Sequence, residues 1–270
     1  MPIHPFADDQ AWLALQQQIR LLGQQEIQQR FQQVSASHKQ DGSLLTEADT
    51  ATQAAVKTYL AANWPQFAFL GEESDLASQQ TALASSQGCW VLDPVDGTTN
   101  FAHSIDVYAL SLALVIEGQV VAGLVYDPAR DELFHARLGQ GAFCNDRPLN
   151  QTSCTIAQLN KAVGIVDFKR LNKTMASALA TEPPYASQRS FGSVALDWCW
   201  IAAGRGELYL HGSQSLWDYA AGWLILCEAG GQSATLTGEQ VFIPSLTKRS
   251  AIAATTPELF KQWQTHLRQI

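Results

Sequence analysis

A buried strand that runs into two aspartates sets the strongest limit on what this chain can become. Residues 89–101 read Cys-Trp-Val-Leu-Asp-Pro-Val-Asp-Gly-Thr-Thr-Asn-Phe. The apolar run Trp90-Val91-Leu92 predicts a strand inside the core, and Asp93 and Asp96 follow it where a turn begins. Pro94 fixes its own φ and biases Asp93 toward an extended conformation, so both carboxylates stand on a stiff corner. Gly97 lets backbone come close to a ligand, and Thr98-Thr99-Asn100 add hydroxyls and N–H groups suited to an anionic oxygen. Carboxylates, a backbone carbonyl and hydroxyls make a hard, all-oxygen donor set that suits Mg²⁺ or Mn²⁺ rather than zinc. Metal on one side and N–H donors on the other fit a phosphate.

Two more stretches belong with this one: Gly71-Glu72-Glu73 upstream and Trp217-Asp218-Tyr219-Ala220-Ala221-Gly222 downstream. In order, spacing and flanking helices the three motifs resemble the inositol monophosphatase family, within the wider lithium-sensitive, magnesium-dependent phosphatase superfamily. The resemblance runs from about the first helix to the end of the chain. It implies an α+β fold, a layered αβαβα sandwich of the inositol monophosphatase and fructose-1,6-bisphosphatase type. Residues 1–150 would form an α+β half with long helices, an antiparallel sheet and the main metal motifs, and residues 151–270 an α/β half supplying Asp218 and substrate contacts.

Composition agrees. With 270 residues and 46% of them apolar, the chain can bury a sizeable core. Net charge is −8 with 16% charged residues and no basic tract, which argues against a nucleic-acid partner. Residues 1–9 lack the basic start and apolar core of a signal peptide, and no apolar run reaches spanning length. A cytoplasmic protein with no membrane partner is expected. The cysteines (Cys89, Cys144, Cys154, Cys199, Cys227) are odd in number and widely spaced, so reduced core thiols are expected rather than disulfides or a zinc site.

Along the chain, Trp12, Leu15, Ile19, Leu22, Ile27, Phe31 and Val34 predict one long amphipathic helix on a glutamine-rich background. Asp41-Gly42 marks a loop, and a second helix runs from Thr46 to before Pro65. Strands are predicted over residues 67–70, 107–116, 120–126, 132–136 and 142–144, the last four as an antiparallel meander. Later come strands at 162–166, 207–211 and 251–254, with helices over 171–180, after Ser193, from Trp217 to before Gly230, and from Pro257.

Each candidate site residue has a plain reading beside the functional one. Asp49, three residues after Thr46, makes a capping box; the resemblance instead has it orient Thr98 to position an attacking water. Adjacent carboxylates such as Glu72 and Glu73 often just begin a solvated helix; the resemblance makes Glu72 a metal ligand with a catalytic part and Glu73 its support from behind. Asp218 is either a favourable first-turn charge or the carboxylate that closes the metal cluster. Gly192 and Ser193 are either a helix N-terminus aimed at substrate or an ordinary serine cap, and Asp197 fits as a first-turn charge. Lys39 lies near a family lysine on a poorly matching stretch and is not assigned a role.

Four carboxylates, Glu72, Asp93, Asp96 and Asp218, repel in one cleft unless divalent cations bridge them. By the resemblance, Glu72, Asp93 and the Val95 carbonyl hold one Mg²⁺, and Asp93, Asp96 and Asp218 another, with a third, looser ion in some members, Mn²⁺ as substitute and Li⁺ as inhibitor. Asp96, Gly97, Thr98, Gly192, Ser193, His211 and Asp218 would contact substrate. An aspartyl-phosphate route is disfavoured because Asp93-Pro94-Val95-Asp96 lacks Asp-x-Asp spacing. The implied activity is hydrolysis of a small phosphorylated metabolite, an inositol or sugar phosphate. Inositol-specific members typically carry glutamate where this chain has His211, which leaves a 3′(2′),5′-bisphosphate nucleotidase open. An inactive regulatory member that binds a protein, and a purely structural metal site, are the other readings. A homodimer is the family's usual state.

Overall fold

The computed structural model describes residues 5–33, 36–38, 44–150 and 156–270. Val34, Lys39, the Asp41-Gly42 loop, Cys154 and the first four residues lie outside them. The first helix is shorter than its apolar stripe predicts. It runs as α1 (Asp9–Leu22), widens into a π turn at Gly23–Ile27 and closes in a 3-10 turn at Gln28–Arg30. The break has a tertiary cause: the Tyr126 ring presses on Gly23 so closely that a Cβ there would lie 2.4 Å from it. Ile27 still reaches the core, so the stripe survives although the helix does not.

A two-stranded ribbon, β1 (Ala36–His38) with β2 (Leu44–Thr46), leads into α2 (Glu47–Asn63). Then follow β3 (Ala68–Gly71), α3 (Leu76–Leu83), β4 (Cys89–Asp96), α4 (Thr98–Ala102), β5 (Ala109–Ile116), β6 (Gln119–Asp127), β7 (Glu132–Arg137), β8 (Ala142–Cys144) and β9 (Arg147–Leu149). The remainder is β10 (Val163–Asp167), α5 (Lys173–Thr181), β11 (Ser187–Arg189), α6 (Val194–Ala202), β12 (Leu208–Gln214), α7 (Leu216–Glu228), β13 (Gln232–Ala234), β14 (Arg249–Ala254) and α8 (Pro257–Leu267). The seven strands β3 to β9 pair in sequence order, parallel at β3–β4 and antiparallel beyond. A second sheet has the order β11-β10-β12-β14-β13, parallel up to β12 and antiparallel after it.

Both faces of the first sheet are covered, which is why its central strands read as unbroken apolar runs. Trp90 and Leu92 of β4, with Leu110, Leu112 and Leu114 of β5, pack with α1 and α2 residues such as Trp12, Leu15, Val56 and Leu60. Cys89, Val91, Ala109 and Ala113 face the other way, toward α6 and α7. Small residues on that face bring α7 down onto the sheet, where Ser111 donates a 3.1 Å hydrogen bond to the Trp217 carbonyl. The second sheet lies across α6 and α7, and α5 and α8 cover its far side through Met175, Leu179, Leu259 and Trp263. The result is five layers, αβαβα, as expected from sequence.

Cys89, Cys144 and Cys199 are buried free thiols, as expected, whereas Cys227 is exposed on the last turns of α7. Burial pushes the Cys89 thiol up to about 12. No helix among the described residues is long and apolar enough to cross a membrane.

Candidate active site

β4 does not stop before its aspartates. It continues as strand through Asp96, and the register against β5 slips between Asp93 and Asp96. The slip re-aims the two side chains. Asp93 and Asp96 are both nearly buried, and they share a cleft of about 370 Å³ with Glu72, Val95, Gly97, Thr98, Gly192, Ser193, His211 and Asp218. Gly97, at φ +92°, turns the chain from β4 into α4, and a Cβ there would meet the Val107 carbonyl at 2.8 Å.

Glu72 arrives from the end of β3. Its amide continues the parallel ladder to the Leu92 carbonyl at 3.0 Å. Two glutamines that sequence reading passed over fix this corner: Gln79 of α3 donates to the Gly71 and Glu72 carbonyls (3.0 and 3.2 Å), and Gln53 of α2 accepts from the Glu73 amide (3.0 Å). Glu73 itself does not line the cleft.

Asp49 and Asp218 each satisfy the plain reading and the functional placement together, because a carboxylate has two oxygens. Asp49 Oδ2 accepts from the Thr46 amide (2.7 Å) and hydroxyl (2.6 Å), while Oδ1 is 3.3 Å from the Thr98 hydroxyl. That hydroxyl is also 2.9 Å from the Val95 carbonyl. Asp218, third in a capping box with Ser215, accepts from the Ser215 amide at 2.8 Å and still lines the cleft. Ser193 is likewise double. Its hydroxyl caps α6 and donates to Asp96 Oδ2 at 2.5 Å, and the Ala195 amide reaches the same oxygen at 2.7 Å. The open end of α6 therefore meets Asp96.

His211 lies in the cleft wall, buried, with both ring nitrogens engaged: Nε2 is 3.2 Å from Asp167 Oδ2, and Nδ1 accepts from the Ser213 amide at 3.3 Å. Asp197, expected as a first-turn charge, is also buried in this wall, and its Oδ1 has no hydrogen-bond partner among the described residues. Asn100 spans the cleft's edge, donating to the Val107 carbonyl (2.8 Å) and the Phe191 carbonyl (2.6 Å). The signal that would have found Asn100 is its place three residues past Gly97, in a turn too tight for an idle amide.

Charge repulsion marks the cluster. Burial, then the charges of Glu72, Asp96 and Asp218, hold the Asp93 carboxyl well above the usual range. Burial also raises Asp218, reinforced by Asp96 and Glu72. For Asp96 burial outweighs the hydrogen bonds from Ser193 and Ala195, and its carboxyl is pushed up to about 6. Among the described residues, no three His, Cys, Asp or Glu side chains converge closely enough to hold a metal ion. Their chemistry nevertheless fits one: four carboxylates and a carbonyl, all hard oxygens, each raising the cost of ionising the next.

The inositol monophosphatase family model matches residues 8–270. The chain belongs to the inositol monophosphatase family. Its relatives include inositol monophosphatase 1 of Solanum lycopersicum, 36% identical over 82% of this chain and 81% of that protein. The Nus factor SuhB of Pasteurella multocida is 30% identical over 87% and 86%. Among solved structures, inositol monophosphatase II of Staphylococcus aureus is 29% identical with a TM-score of 0.79, covering 94% of each chain. The family uses divalent metal ions.

Proposed function

We propose that this member of the family hydrolyses small phosphorylated metabolites, inositol or sugar phosphates, with Mg²⁺ as cofactor and water as acceptor. The observation that carries the reading is one cleft lined by the carboxylates Glu72, Asp93, Asp96 and Asp218 together with Gly97, Thr98, Gly192 and Ser193. Relatives named for the same activity support it, and SaIMPase-II has been solved with inositol monophosphate and with 2′-AMP bound.

Divalent cations held by Glu72, Asp93, the Val95 carbonyl, Asp96 and Asp218, two and in some states three, with Mn²⁺ as substitute, would neutralise phosphate charge and make a bound water more acidic. The chain's own groups do the positioning. Thr98 has one proton; donated to Asp49, it leaves the Thr98 oxygen free to accept from a water aimed at phosphorus. The Gly97 and Thr98 amides face the phosphate oxygens, and Ser193 holds Asp96 in place. The protein acts as a homodimer, each subunit built of two packed halves, residues 1–150 and 151–270. The similarity to a Nus factor gives a second reading, a regulatory member that binds a protein.

The test is phosphate release with Mg²⁺ and with EDTA from inositol 1-phosphate, sugar phosphates and 3′-phosphoadenosine 5′-phosphate. Metal-dependent turnover that Asp93→Asn abolishes, with the fold intact by circular dichroism, is expected. An unimpaired mutant refutes the metal assignment, and silence across the panel favours the regulatory reading.

A further inference from the structure

α6 is apolar along its whole length except at one position. Every residue from Ala195 to Ala202 is buried, and Asp197 is the single charged one among them. A helix that packs on all sides has no solvated face on which to carry an acid. Asp197 is only 4% exposed, lines the cleft, and its Oδ1 is buried with no hydrogen-bond partner among the described residues. Burial, then the charges of Asp96 and Asp167, hold its carboxyl well above the usual carboxylate range. Both neighbours that act on it therefore carry its own sign.

The other acids of this wall are provided for. Asp96 accepts from the Ser193 hydroxyl and the Ala195 amide. Asp167 is engaged by His211 Nε2 at 3.2 Å and by the Lys169 amide at 2.9 Å, and the Arg170 charge also acts on it. Asp218 accepts from the Ser215 amide and feels Lys248. His211 has both ring nitrogens spent on Asp167 and the Ser213 amide, so it keeps no free nitrogen for a substrate. Taking a carboxylate out of water without a partner is costly, and folding leaves that cost standing at Asp197. Its place in the helix relates it to the reacting end: Ser193, which caps α6 and holds Asp96, is four residues earlier, roughly 6 Å along the axis.

We propose that Asp197 determines substrate specificity by receiving an ammonium group on the alcohol part of the substrate, so that phosphomonoesters of amino alcohols and amino sugars are preferred to those of neutral polyols. An ammonium carries three donors and no acceptor. One such group supplies both the hydrogen bond that Oδ1 lacks and the opposite charge. A hydroxyl supplies the hydrogen bond alone, and an anionic group adds to the repulsion from Asp96 and Asp167. The separation of about one helical turn suits an ammonium two or three carbons from the phosphate oxygen. The assignment of the phosphate end rests on the phosphatase reading.

The experiment uses ligands without a scissile ester, so that binding is read apart from turnover. The Mg²⁺-loaded protein is titrated calorimetrically with 2-aminoethylphosphonate and with 2-hydroxyethylphosphonate, which differ in the ammonium alone. The amine is expected to bind roughly tenfold tighter, as a charge-assisted hydrogen bond allows. Asp197→Asn, and Asp197→Ala as a second variant, should bring the ratio of the two affinities to within about twofold of one. Without ligand, neither variant should melt below the wild type, because each removes a buried charge that the protein leaves unpaired. In turnover, the preference in kcat/KM for phosphoethanolamine over 2-hydroxyethyl phosphate should fall in both variants, chiefly through KM. Equal affinities in the wild type overturn the proposal, as does a preference that survives in both variants. A lowered Tm in both variants with the ratio unmoved marks Asp197 as structural and overturns it too. An amine preference that the variants lose, without phosphate release from any ester, supports the assignment of Asp197 and refutes the phosphatase reading instead.

Discussion

Stripped of divalent cations, this protein should lose stability as pH rises from 5 to 7.5, and Asp96 gives the scale. Its carboxyl moves from an ordinary 3.8 to about 6 in the fold, chiefly through burial. Between those values the folded state holds a proton that the unfolded chain has released, so the stability present at low pH is lost as pH rises through about 6. At 1.36 kcal/mol per pH unit the full loss from well below pH 3.8 is about 3 kcal/mol, of which roughly 1.5 kcal/mol falls between pH 5 and 7.5. For a chain of this size roughly 1.5 kcal/mol corresponds to about 3–6 °C in Tm across that range, at roughly 2–4 °C per kcal/mol. Asp93 and Asp218 shift in the same direction and belong to the same repelling set, so they enlarge the effect without each adding a full share. His135 works the other way: burial lowers its pKa below 6.5, and its contribution grows as pH rises.

Comparison with Asp96→Asn separates the two, since asparagine keeps an acceptor for Ser193 and Ala195 but cannot ionise. Thermal unfolding followed by circular dichroism in EDTA should give a wild-type Tm that falls more steeply over this range than the variant's. Saturating Mg²⁺ should restore more at pH 7.5 than at pH 5 in the wild type, because binding there relieves the carboxylates. Equal slopes for wild type and variant would refute the reasoning, whatever the activity of either.

Two further outcomes follow from contacts behind the cleft. Asn100→Ala strips a donor from the Val107 and Phe191 carbonyls and should cost about 1–3 kcal/mol by chemical denaturation, with KM raised more than kcat is lowered as the turn before Gly192 drifts. Gln79→Leu removes the donor to the Gly71 and Glu72 carbonyls, and the Mg²⁺ needed for half-maximal rate should rise roughly tenfold while kcat at saturating Mg²⁺ is kept.

How much of this was readable beforehand depends on where each residue's partner sits. The strand carrying Trp90, Val91 and Leu92, the meander after it and the helix opened by Trp217-Asp218 are local patterns, and each falls within a few residues of its predicted place. The long N-terminal helix failed because its interruption comes from Tyr126, more than a hundred residues away, and no periodicity reports a ring pressed on Gly23. α3 went unassigned because its apolar face is thin: only Gln79 and Ala82 are buried, and Gln79 is there to hold the Glu72 corner. The family resemblance puts His211 among the substrate contacts without saying what its ring touches. That its ring is committed to Asp167, its register partner on β10, needed the pairing of two strands separated by more than forty residues.

The same logic explains why helix caps and site residues coincide. A carboxylate placed at the third position of a capping box is fixed by one oxygen against its own helix and keeps the other for what stands opposite. Asp49 and Asp218 are held this way by Thr46 and Ser215, the residues just ahead of their own helices, so one oxygen of each is fixed by a contact three residues away in the chain. Asp96 is different. Its oxygen is gripped by Ser193 and Ala195 from α6, and Asn100 of α4 is tied to Phe191 just before that helix. The contacts that place Asp96 are therefore also contacts between the strand bearing the aspartates and the helix layer beneath the second sheet. A shift of α6 against β4 alters the cleft before it opens the core, and variants along this seam should lose activity at temperatures where the fold still melts cooperatively.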